Sequence, residues 1–244
     1  MFDSDGTTAV GAFEFDPFSA TSPRTAFTFT GGVYQIFTVP SSTASNATGI
    51  NGAGLIVGVY EDLSGVLRGF ANKGGTFSNV DFPGATGTQA IGVNDAGQIV
   101  GDYFDAANVE HGFVSSGGTF TAIDFPGATG TVATGINAAG DIVGAWGDTT
   151  GTHGFLLQAG VFTPINFPLA TSTTVFGISD TGKIAGFFDD AAGTTHGFIY
   201  ASGAFSIVDV AGALDTLLTR IKKGGSVTGL CTDALTELHG LTGQ

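Results

Sequence analysis

The chain holds four histidines, His111, His153, His196 and His239, and a glycine follows each. Their separations are 42, 43 and 43 residues, so they mark a repeat. Aspartates keep the same period: Asp62, Asp105, Asp148, Asp190 and Asp233 each lie four residues after a glycine, and Asp16 lies five after Gly11. An Asp and a His therefore bracket every loop of this kind from His111 onward. Such a pair could hold a metal or a glycan in each loop. It could equally lock the loop, with Asp accepting backbone N–H bonds in its own turn and His tying the far side. Repetition favours the lock, since a hairpin needs the same fastening in every copy whereas a catalytic site is used once. His111, His153, His196 and His239 are read as hairpin locks.

Aromatics supply a second signal. Trp146 is read at the position of Tyr60, Tyr103 and Phe187, next to the loop aspartate. Aromatic faces beside carboxylates suit a sugar, because pyranose C–H faces stack on rings while hydroxyls hydrogen-bond; core packing is the plainer role. The candidate ligand-binding set is thus Asp62, Asp105, Asp148, Asp190, Tyr60, Tyr103 and Trp146. Calcium is a weak candidate, for no DxDxDG loop is present and loops such as "DAANVE" offer one firm carboxylate. Zinc would need several histidines together, and each repeat supplies one. Catalysis has less support still. No GxSxG elbow occurs, and neither Glu14, Glu61, Glu110 nor Glu237 stands apart as half of a glycosidase pair. Cys231 falls in a strand pattern and reads as an inert buried thiol.

The elements that must position these groups repeat as well. Pairs Val10-Gly11, Val57-Gly58, Val100-Gly101, Val143-Gly144, Ala185-Gly186 and Thr228-Gly229 anchor the units. Each unit divides into four short segments, typified by "ATGIN", "DIVGAWGD", "HGFLLQAG" and "VFTPINFP". They are rich in β-branched and aromatic residues and separated by Gly, Asn and Asp, which is the pattern of strands joined by hairpins. "ALDTLLTRIKK" could pass for a helix, but it falls on the repeat and is read as strand and turn. Four antiparallel strands in about 43 residues make a propeller blade. The expected fold is one all-β propeller domain over 1–244, with five or six four-stranded blades in units of approximately 1–46, 47–89, 90–132, 133–175, 176–218 and 219–244. The second and third segments occur six times and the fourth only five, so the terminal blades should be incomplete.

Composition narrows the partners. Seven Lys+Arg face 21 Asp+Glu, a formal net charge of −14. Phosphate binding needs basic surface, so nucleic acid is excluded, and an anionic membrane surface is disfavoured. No apolar run approaches the length of a membrane span, and "MFDSDGTTAV" lacks a charged-then-apolar leader. With 42% hydrophobic residues and 22 Phe, the Gly-rich chain is too apolar for disorder.

The unit "GINxxGxIVG…D…HGFxxxxGxF" resembles that of the bacterial extracellular repeat proteins named HAF after a His-Ala-Phe triplet. Here the triplet reads His-Gly-Phe at 111–113, 153–155 and 196–198. The resemblance implies a secreted or cell-surface propeller-like protein and transfers no reaction. The reading that follows is an extracellular recognition module, non-catalytic, with several similar sites for glycan or another small neutral ligand. Two alternatives differ in class: a surface protein that self-associates through open strand edges, or a propeller lyase or glycosidase. The divergent last unit, with Arg220, Lys222 and Lys223, is where a catalytic departure from the repeat would be sought.

Overall fold

The computed structural model describes residues 3–4, 7–14, 24–222, 225–235 and 237–243; Asp16 and Lys223 lie outside them. Every regular element among the described residues is a β-strand. The chain divides into two compact units, Met1–Ile123 and Asp124–Gln244.

The first unit contains three antiparallel sheets. Strands β1 (Asp3–Ser4), β2 (Thr8–Glu14), β3 (Arg24–Thr30) and β4 (Val33–Ile36) form one. The second comprises β5 (Ser42–Ile50), β6 (Leu55–Asp62), β7 (Leu67–Lys73) and β8 (Thr76–Asn79). The third comprises β9 (Gly87–Val93), β10 (Ile99–Phe104), β11 (Glu110–Ser116) and β12 (Thr119–Ile123).

The second unit repeats the plan. Its sheets are β13 (Gly130–Ile136), β14 (Ile142–Gly147), β15 (Thr152–Gln158) and β16 (Val161–Ile165); β17 (Ser172–Ile178), β18 (Ile184–Asp189), β19 (Thr195–Ala201) and β20 (Ala204–Ile207); and β21 (Asp215–Ile221), β22 (Val227–Thr232) and β23 (Leu238–Gly243). Four strands per sheet therefore fails as a general rule, because the last sheet has three. The segment "ALDTLLTRI" is strand β21, as its place in the repeat requires.

The recurring Val-Gly pair has a steric cause. A Cβ on Gly144 would meet the backbone oxygen of Val132 and would sit 2.8 Å from Cε1 of Phe155, its cross-strand partner, so only glycine leaves room there for strand and ring. Phe70, Phe113, Phe155 and Phe198 repeat this arrangement at no more than 1% exposure. Each such ring contributes on the order of 2 kcal/mol relative to an exposed one. Around Phe198 gather Val143, Ile165, Val175, Ile178, Ile184 and Phe188 from two successive sheets.

A bulge interrupts the first strand of the second to sixth sheets, for example between Ala133 and Gly135. The extra residue, Thr134, turns its hydroxyl to Val175 O of the following sheet at 2.8 Å. Gly135 allows that approach, since a Cβ there would lie 2.8 Å from Phe176 O. Further along, Asn137 donates to Ser179 O and the Ala138 amide to Asp180 Oδ1. The first unit has the same ties: Thr48 Oγ1 to Ala90 O at 2.7 Å, Asn51 Nδ2 to Asn94 O at 2.9 Å, and Gly52 N to Asp95 Oδ1 at 2.8 Å.

Candidate functional site

The hairpins between second and third strands carry the repeated Asp and His, and each set is assembled locally. Asp105 Oδ1 accepts the amides of Ala107 and Val109, both at 2.8 Å. Asp62 accepts from Ser64 and Val66, Asp190 from Ala192 and Thr194, and Asp233 from Leu235 and Glu237. Charge-assisted bonds of this kind favour the carboxylate, so the backbone amides hold the pKa values of Asp62, Asp105 and Asp190 below their ordinary range. Asp148, in a hairpin one residue shorter, also accepts the Thr150 hydroxyl, and its pKa falls to about 2. A cation would have to displace these amide hydrogens to use the same oxygen.

Each histidine meets its aspartate across the hairpin. Nε2 lies 3.5 Å from the Asp carboxylate in His111–Asp105, 3.2 Å in His153–Asp148, 3.5 Å in His196–Asp190 and 3.0 Å in His239–Asp233. In the second sheet Arg68 Nε takes that place at 3.2 Å from Asp62 Oδ2. His196 is held by two carboxylates, with Nδ1 2.9 Å from Asp209 Oδ2. Asp209 chiefly, with help from Asp190, raises the His196 pKa above its ordinary value.

Two of the three aromatic candidates sit in three-layer stacks. Trp146 lies between Phe125, at 4.1 Å and 4°, and His153, at 4.4 Å and 30°. Tyr103 lies between Phe82 and His111, and Phe188 between Phe167 and His196. Both faces of Trp146 and Tyr103 are thus covered by protein rings, and a ligand can meet only their edges. The indole Nε1 of Trp146 is buried without a hydrogen-bond partner among the described residues. Tyr60, buried, pairs across the strands with Arg68 and donates its hydroxyl to Asn79 Oδ1.

Phe188, not Phe187, is the fifth-sheet counterpart of Trp146. It pairs with His196 as Trp146 pairs with His153, while Phe187 points to the opposite side and stacks on Phe176. Alternation along a strand makes a shift of one residue a change of face.

Two carboxylate groupings depart from the repeat. Asp102, 1% exposed on β10, stands where the other sheets have Ala12, Val59, Ala145, Phe187 and Leu230. Its Oδ2 accepts from Gln89 Nε2 at 3.0 Å. Burial, reinforced by the Glu110 carboxylate, raises its pKa to about 7. Burial also raises that of Glu110. A lone acid in an otherwise apolar column was the readable signal. The second grouping is Asp233, Glu237 and His239, whose ligand atoms all lie within 4.8 Å of one another.

No family model and no curated protein matches the chain. Solved structures do. AofleA from Arthrobotrys oligospora aligns over 100% of this chain and 82% of its own, at 15% identity and a TM-score of 0.62. The Aleuria aurantia lectin, described as a six-bladed β-propeller with a novel fucose recognition mode, aligns over 99% of this chain and 89% of its own, at 12% identity and a TM-score of 0.59. The β-propeller domain of the Trilobed protease from Pyrococcus furiosus, described as having an open velcro topology, covers 99% of this chain at 10% identity and a TM-score of 0.57, with 93% of its own length aligned. The likeness shows the fold: a six-bladed β-propeller, with three or four strands per blade. No helix among the described residues is long and apolar enough to cross a membrane.

Proposed function

We propose that the protein is a non-catalytic, extracellular carbohydrate-recognition module of HAF-repeat type, with several similar weak sites. One observation carries the reading: the same hairpin, an Asp–His pair beside an aromatic edge, recurs in the third, fourth and fifth sheets. Its carboxylate oxygens and imidazole edges offer acceptors and donors to sugar hydroxyls. Likeness in fold to fucose-binding propellers supports the reading. Equivalent sites on one chain raise avidity without any new contact.

The test is a glycan array of the full chain, followed by calorimetry with a monovalent form of any hit. Hits that share a terminal sugar, bound at more than one site per chain, support the module. A blank array, or a single site per chain, sinks it.

The alternative of self-association has its own observation. In the third to fifth sheets the fourth strand lays a Phe against the third-strand Phe, tilted in the third and edge-on in the fourth and fifth, at 5.5, 5.4 and 5.2 Å. The sixth sheet has no such strand among the described residues, and Leu238 on β23 is 64% exposed. An edge of this kind can take a strand from a second copy. Light scattering across a concentration series decides it: dimers or larger species support edge pairing, and a monomer throughout removes it.

A further inference from the structure

The sixth sheet fastens its hairpin as the others do, then adds to it. Asp233 N donates to Glu237 O, just as Asp62 N donates to Val66 O, Asp105 N to Val109 O and Asp190 N to Thr194 O. The backbone role is the same in all four, but the side chain at this position is Val, Val and Thr elsewhere and Glu only here. Closing the turn does not call for a carboxylate. With Glu237 present, two carboxylates and an imidazole converge, and among the described residues this is the one group of three metal-ligating side chains so placed.

The imidazole is also presented differently. His111, His153 and His196 each lie against an aromatic ring, and their side chains are 24%, 21% and 25% exposed. The cross-strand partner of His239 is Cys231, too small to cover the ring, and His239 is 50% exposed. Its Nε2 lies 3.0 Å from Asp233 Oδ2. Two ligand atoms each about 2.1 Å from one tetrahedral metal lie about 3.4 Å apart. The pair, at 3.0 Å, is thus within about half an ångström of that spacing, and a metal there would take the place of the hydrogen that now joins them.

We propose that Asp233, Glu237 and His239 form a binding site for a divalent transition-metal ion of the zinc class. Imidazole selects such ions over calcium, which prefers six to eight oxygens, and three protein ligands leave coordination positions to water or an exogenous ligand. Asp233 keeps Oδ1 on its amides and offers Oδ2. The site is independent of sugar binding.

Titration calorimetry of the full chain with Zn2+ alone tests this, alongside visible absorption with Co2+ as a spectroscopic substitute. Wild type should bind one equivalent. Glu237→Gln, an isosteric change at an exposed residue, should weaken binding by at least about tenfold. His239→Arg should abolish it while keeping the hairpin fastened, because Arg68 already performs that fastening against Asp62. His153→Arg should leave it unchanged. The proposal falls if wild type takes up no Zn2+, if Glu237→Gln and His239→Arg bind as wild type does, or if equimolar Ca2+ displaces the Zn2+.

Discussion

The indole of Trp146 lies flat on the ring of Phe125, with centroids 4.1 Å apart and planes 4° apart. His153 covers the other face. An aromatic beside the Asp–His hairpin is here part of the packing that holds the hairpin's histidine in place, and substitutions at Trp146 should report on stability first.

Trp146→Ala should lower the unfolding free energy by about 3 kcal/mol, read by urea denaturation. Trp146→Phe should cost much less, since Phe188 fills the same position of the next sheet. If Trp146→Ala leaves the denaturation midpoint in place, the stack is not a stabilising element.

Asp102 should make the protein less stable as pH rises. Its ordinary pKa of 3.8 becomes about 7 in the fold, so its stabilising contribution is complete below about pH 4 and is lost as pH climbs through 7. Asp102→Asn should remove this slope and raise stability at pH 8, by roughly 4 kcal/mol at the upper bound. Parallel pH–stability curves for the two proteins would contradict the buried carboxyl.

His196 should titrate above the ordinary histidine value in an NMR pH series. Its raised pKa means that the pairing with Asp209 and Asp190 is fully present below about pH 6.5 and fades as pH rises through the elevated value. Asp209→Asn should bring the His196 pKa down. The effect on stability should stay under about 1 kcal/mol, as befits a partly exposed pair.

Gly144→Ala should destabilise the fourth sheet by about 2 kcal/mol or more, because the added methyl meets the backbone carbonyl oxygen of Val132 as well as the Phe155 ring. A thermal melt suffices, and an unchanged midpoint would show that strand and ring can both give way.

Much of the fold was legible because each sheet is written in the same words. The Val-Gly pair, the His-Gly-Phe triplet and the Asp at the hairpin gave strand order, and the count of five fourth segments matches β4, β8, β12, β16 and β20. What escaped was whatever breaks the repeat or depends on the face of a strand. Phe187 and Phe188 are adjacent aromatics, and only the register to His196 shows which joins the stack. Glu237 reads as an ordinary surface acid until the hairpin folds it back toward His239. Asp102 falls inside the strand segment "QIVGDYFD", but its full burial shows only in the fold.

The repeated Thr, Asn and amide ties between sheets run in one direction, although Arg220 Nη1 donates back to Phe176 O at 3.4 Å. Thr48, Asn51 and Gly52 donate forward to Ala90, Asn94 and Asp95, and Thr134, Asn137 and Ala138 donate forward to Val175, Ser179 and Asp180. On the ribosome, the inner strand of a sheet emerges with donors whose acceptors have not yet been synthesised. Within each unit, native structure therefore trails synthesis by about one sheet, and a stalled chain leaves its newest sheet as the loosest.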